Sequence, residues 1–152
     1  MTGNLLTLDA NILIYSVDKK PESEKKLEIS SLILQKSVQG GCILTSQTLG
    51  EFYHASTRKR YIPQNKAIEM IHYFMELFPI VSSTSLTLER ALLALPKYQL
   101  QFWDAMLWAT AKESKCSLII TEDFQDRQSI EGVQFINPFK DDNLSYLTET
   151  YF

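Results

Sequence analysis

The sequence predicts an α/β fold in three layers, a central and mainly parallel sheet flanked by helices. Two observations predict it. Short apolar runs of strand length recur along the chain. Between them lie stretches of about ten or more residues with helical spacing, long enough to return the chain for another parallel strand. With 152 residues, the whole of 1–152 is expected to be one domain, able to bury roughly 68–70% of its unfolded surface.

Residues 5–8 (LLTL) read as the first strand, ending at Asp9, with a helix-like segment over 11–15. Residues 22–39 are amphipathic, with Leu27, Leu32, Leu34 and Val38 near helical spacing, and Gly40-Gly41 stops them. Residues 42–45 form the second strand, 47–59 a helix, and Pro63 closes that region. A helix over 65–78 precedes a strand at 79–81, and a helix over 86–95 ends at Pro96. The helix over 102–115 leads into a buried strand, 117–120, that reaches Asp123, and 133–136 is the last strand.

An apolar share of 45% and a charged share of 22% are ordinary for a globular protein. No apolar run approaches the ~20 residues of a membrane span. The start, MTGNLLTLDANILIYSVD, has no basic region and carries Asp9 and Asn11 in its apolar stretch. No signal peptide is expected, and the cytoplasm is the expected compartment. Cys42 and Cys116 lie in apolar, strand-like contexts and read as reduced and buried. A net charge of −3 argues at first against a nucleic-acid partner.

The acids acquire meaning from the fold. In open parallel sheets, ligands bind beyond the carboxyl ends of the strands, which is where Asp9 and Asp123 fall. Asp104 opens a helix whose apolar stripe includes Leu107, Trp108 and Ala111. An isolated buried charge is costly, so Asp104 calls for a partner, a proton or a cation. It is expected to arrive from the opposite pole of the sheet or to lean over the sheet edge. Each acid also has a plainer reading: Asp9 as a helix N-cap, Asp104 as a cap or first-turn acid, Asp123 as a turn acid. Glu51 points away from the stripe Leu49, Phe52, Tyr53 and Ser56, and periodicity alone makes it a surface residue.

Four segments then match one family in order. Leu8-Asp9-Ala10-Asn11 resembles the opening of PIN-domain nucleases, and Ser46-Gln-Thr-Leu-Gly-Glu51-Phe-Tyr resembles their second motif. Phe102-Trp-Asp104-Ala is similar to the third, and Thr121-Glu-Asp123 after an apolar strand is similar to the fourth. The tail Gly132-Val-Gln-Phe-Ile-Asn137-Pro-Phe139 is similar to the ending of many bacterial members, and the chain as a whole resembles in particular the VapC-type toxins of toxin–antitoxin pairs.

That resemblance implies a PIN-like fold and a Mg²⁺- or Mn²⁺-dependent endoribonuclease, with Asp9, Glu51, Asp104 and Asp123 as metal-binding and catalytic acids. It also implies that Asn11 and Thr121 orient these carboxylates, and that Asp126 is a candidate auxiliary acid. A small antitoxin and a homodimer are the implied protein partners. Phe52-Tyr53 and residues 71–74 are candidates either for such contacts or for the core. Relatives often carry Asp-Gly-Gln where Asp126-Arg127-Gln128 stands here, which suggests a turn needing no positive φ, or local strain.

Setting aside the four acids leaves 15 basic against 14 acidic residues, so the acidic total no longer excludes RNA. Arg58, Lys59 and Arg60 are the candidate phosphate contacts, with Tyr61 a lone aromatic beside them. His54, three residues beyond Glu51, is within reach of a substrate phosphate but reads rather as a surface or interhelical residue. A non-catalytic PIN-fold module binding RNA or protein is the alternative. A phosphoryl-acceptor receiver ranks last, because Ala10 rather than a second acid follows Asp9.

Overall fold

Every residue of strand β1 (Leu6–Leu8) is buried, because the strand lies inside the sheet with helices on both sides. The computed structural model describes residues 4–152. Alternate side chains of one strand enter different cores. Leu6 and Leu8 pack into one core, as do Leu44 of β2 (Cys42–Thr45) and Leu118 and Ile120 of β4 (Leu118–Ile120). Ile43 and Ile119 pack into the other, with Phe135 of β6 (Val133–Ile136). Burial on both faces explains why these strands read as unbroken apolar runs.

Helices α1 (Ala10–Tyr15), α2 (Glu24–Ser37), α3 (Ser46–Arg58) and α4 (Gln64–Leu77) contribute to the first core, together with α7 (Asn143–Thr150). Helices α5 (Ser85–Tyr98) and α6 (Phe102–Glu113) contribute to the second. The described strands form one sheet in the order β3-β2-β1-β4-β6-β5, where β3 is Ile80–Val81 and β5 is Ser129–Ile130. All pairings are parallel except that of β5 with β6. Leu6 pairs with Leu118 and Leu8 with Ile120, which brings the ends of β1 and β4 level. Both edge strands, β3 and β5, are two residues long.

The expected three layers are present. The chain departs from the sequence reading in three places. Helix α5 does not end at Pro96 but runs to Tyr98 and stops at Gln99, whose φ is 56°. Proline removes one intrahelical donor; packing of Tyr98 on Trp108 and its hydroxyl bond to Glu131 hold the last turn in place. Strand β5 is too short to show a period. Helix α7 has mostly polar residues and no side-chain cap, so it carries neither usual signal.

Phe52 and Phe74 belong to the core, their rings edge-on at 5.6 Å, whereas Tyr73 is exposed. Both cysteines are free and buried. Gly50 is an exposed residue inside α3, and a Cβ there would meet nothing within 4 Å. Gly50→Ala is therefore expected to stabilise the protein by about 0.5–1 kcal/mol, read as a higher urea midpoint with unchanged slope.

Candidate active site

The sheet order places the site. From β1 the chain moves outward through β2 and β3, then returns to the other side of β1 as β4. The crevice at such a reversal, beyond the carboxyl ends of the strands, is where open α/β sheets bind ligands. Asp9 follows β1 directly, and Asp123 lies three residues past the end of β4.

Asp104 joins them, and the expected approach from the opposite pole is corrected. A crossover helix runs antiparallel to the strands it connects, so the first turn of α6, which holds Asp104, lies at the carboxyl rim. One carboxylate oxygen from each of Asp9, Asp104 and Asp123 lies within 4.8 Å of the others. Asp9 is buried, Asp104 intermediate and Asp123 exposed.

A relay of hydrogen bonds ties Asp9 to Asp123. Asn11 Nδ2 donates to Asp123 Oδ2 at 3.0 Å. The Asp123 amide donates to Thr121 Oγ1 at 3.1 Å, and that hydroxyl donates to Asp9 Oδ2 at 2.7 Å. Asp9 Oδ1 accepts from the Ala10 amide at 2.7 Å, so Asp9 is an N-cap of α1 as well as a member of the cluster.

None of the ion pairs among the described residues uses these carboxylates. Burial pushes the Asp9 carboxyl up to about 7, helped by the Asp123 charge and opposed by the Thr121 and Ala10 hydrogen bonds. Burial likewise pushes Asp104 up to about 6, with the charges of Asp123 and Glu51 adding to it.

The trio opens into a cavity of about 710 Å³ that Glu51, His54, Arg58, Lys59 and Trp103 also line. Glu51 does point away from the packed stripe of α3, and that exposed face is the cavity wall. Its carboxyl is raised by burial, against a hydrogen bond from Gln47 at 3.3 Å. Glu51 stands outside the tight group of three. His54 and Gln47 were not singled out for this cavity by periodicity, since both sit on the solvent side of α3.

Three sequence candidates lie elsewhere. Arg60, at φ 60° after α3, borders a different cavity with Tyr61. Asp126 does not reach the acidic group: Asn143 Nδ2 donates to both its oxygens at 3.0 Å, and the Asn137 amide donates at 2.8 Å. Arg127 has φ 69°, so the turn does require a positive φ and the reading without one is corrected. Its strain is offset by anchoring. Arg127 Nη2 and Nε donate to Asn143 Oδ1 at 2.7 and 3.2 Å, and its guanidinium sits 4.1 Å from the Tyr146 ring centroid.

Asn143, only 3% exposed, thus ties the loop after Asp123 to α7. Nothing in its local sequence marks it, because its partners are distant in the chain. Glu122, next to Asp123, faces away and accepts from Tyr15 and Lys26 at 2.6 and 2.9 Å.

The sequence matches the PIN domain model over residues 6–128. No curated protein matches it significantly. Among solved structures, the chain is similar to VapBC-1 from nontypeable Haemophilus influenzae, at 17% identity and TM-score 0.62, covering 90% of this chain and 99% of that one. It is similar to a toxin–antitoxin complex from Klebsiella pneumoniae, at 20% identity and TM-score 0.60, covering 88% and 97%. It is also similar to VapC20 of Mycobacterium tuberculosis, a sarcin-ricin-loop-cleaving toxin, at 11% identity and TM-score 0.61, covering 75% and 86%. With the family match spanning most of its length and the fold shared with VapC toxins, the chain belongs to the PIN domain family.

Proposed function

We propose that this protein is a metal-dependent endoribonuclease that hydrolyses RNA phosphodiester bonds, and that it is the toxin of a type II toxin–antitoxin pair. The observation that carries the reading is the convergence of Asp9, Asp104 and Asp123, without a cationic partner, on a cavity that also presents Arg58 and Lys59. An all-oxygen donor set suits Mg²⁺ or Mn²⁺. The raised Asp9 and Asp104 carboxyls fit a site built for added positive charge. Asp9, Asp104 and Asp123 would hold the ion, and Glu51 completes the acidic set from the α3 wall.

When bound, such an ion supplies charge neutralisation at the scissile phosphate and a lowered pKa for a coordinated water. The chain supplies the positioning. Thr121 and Asn11 hold Asp9 and Asp123 in fixed orientations. Arg58 and Lys59 contact phosphates along the strand, and no histidine is needed as base. The toxin–antitoxin complex among the similar folds supports an antitoxin as protein partner, and a homodimer is proposed for the toxin's own assembly from the family resemblance alone. No helix among the described residues is long and apolar enough to cross a membrane, and the cytoplasm is the proposed compartment.

Purified protein is expected to cut RNA with Mg²⁺ or Mn²⁺ and not in EDTA. Asp104→Asn is expected to lower the rate by about 10³-fold, roughly 4 kcal/mol of transition-state stabilisation. Equal cleavage by variant and wild type would trace the activity to a contaminant and sink the proposal.

A further inference from the structure

Trp103 is 59% exposed, although a large aromatic side chain gains most from burial. Ten large apolar side chains are markedly exposed among the described residues, and of these Trp103 alone lines the cavity of the acids. Gln47 Nε2 donates to the backbone carbonyl of Trp103 at 3.1 Å, which holds the main chain, and the Trp103 ring packs edge-on against the ring of Phe102 at 4.8 Å and 79°. The residue is one position before Asp104, and Arg58 and Lys59 share its cavity.

A flat, anchored, solvent-facing ring beside cations and metal-suited carboxylates matches one ligand chemistry, a strand offering phosphates and bare base faces. A duplex keeps its base faces covered by stacking. An unpaired base can be splayed onto an aromatic ring. We infer that Trp103 is a base-stacking residue that selects single-stranded RNA by holding an unpaired base beside the acidic cluster. The inference rests on the ribonuclease reading for its substrate, and sharpens it to unpaired nucleotides.

The sequence contains two tryptophans. Trp108 is 3% exposed and donates its indole N–H to the Ile130 carbonyl, so quenching by a solute reports on Trp103. Asp9→Asn protein in Mg²⁺ keeps the RNA intact during titration. An unstructured 12-nucleotide RNA is expected to quench the fluorescence, and a 24-base-pair RNA duplex at equal nucleotide concentration is not. In the same background, Trp103→Ala is expected to raise the Kd for the labelled single strand about tenfold, within the range of one lost base stack. Trp103→Phe is expected to restore it to within about threefold, since any aromatic face serves.

Unchanged melting of Trp103→Ala guards against misfolding, and Trp103→Phe keeps the test open if that variant unfolds. Equal quenching by strand and duplex, no quenching by RNA, or wild-type affinity in Trp103→Ala overturns the inference. Quenching without any cleavage by wild-type protein would overturn the nuclease proposal and leave the stacking residue. Cleavage without quenching would do the reverse.

Discussion

Asp9→Asn is expected to silence RNA cleavage and, in the same protein, to raise the melting temperature measured in EDTA at pH 7.5. The first effect follows from removing an anionic oxygen from the proposed metal site. The second follows from burial. Asp9 has its folded pKa raised from 3.8 to about 7, so ionising it costs stability. A group of this kind contributes its stability fully below the unfolded value and loses it as pH rises through the folded value. Metal-free wild type is therefore expected to lose stability between about pH 4 and pH 7, with Asp104, raised to about 6, acting in the same direction.

Neutral asparagine escapes that cost and retains an acceptor for Thr121, though its amide nitrogen gives up the Ala10 cap, a net gain of the order of 2 kcal/mol at pH 7.5. Saturating Mg²⁺ or Mn²⁺ reverses the ranking. Wild type gains by mass action, and the variant gains little. Thermal melts from pH 4.5 to 8, with and without metal, test this directly. A flat wild-type profile, or equal metal gains in both proteins, would remove the case for a strained carboxylate at Asp9.

Asn143→Ala is expected to cost about 3 kcal/mol, lowering the melting temperature by about 6–12 °C. The buried amide of Asn143 joins Asp126, Arg127 and the Asn137 carbonyl in one part-buried knot, and alanine leaves those groups without their shared partner. Because the knot fastens the loop that follows Asp123, affinity for the proposed metal is expected to fall by at most about tenfold, the low end of the loss when a direct partner of a metal ligand is removed. Arg127→Gly separates the contributions. Alone it trades an anchor for relief of the positive φ and is expected to be nearly neutral. In the Asn143→Ala background, where only the Tyr146 ring still holds the guanidinium, it is expected to return up to about 1 kcal/mol. Additive effects of the two substitutions would dissolve the knot as a unit.

The layers and two of the acids, Asp9 and Asp123, were legible because strands buried on both faces leave unbroken apolar runs, and because acids at their carboxyl ends share one rim. Asp104 needed one more rule, the antiparallel course of a crossover helix, before its rim could be named. Glu51 shows a different limit. Helical periodicity says which face packs, but not whether the other face meets bulk water or a cavity, so only the resemblance singled it out. Asn143 and α7 left no trace, since their stability lies in contacts between distant residues. At Arg127 the second of the two alternatives holds, local strain at φ 69°, and the choice was hidden for a related reason: a side chain can stabilise a backbone conformation that its residue type disfavours, if distant groups grip it.

The short margins of the sheet have a consequence for behaviour at high concentration. Strands β3 and β5 offer only two residues each to a would-be neighbour, and an edge that short is a poor template for fibrillar growth. The longer, stickier strands β1 and β4 are enclosed between them. Native protein is thereby guarded against cross-β polymerisation.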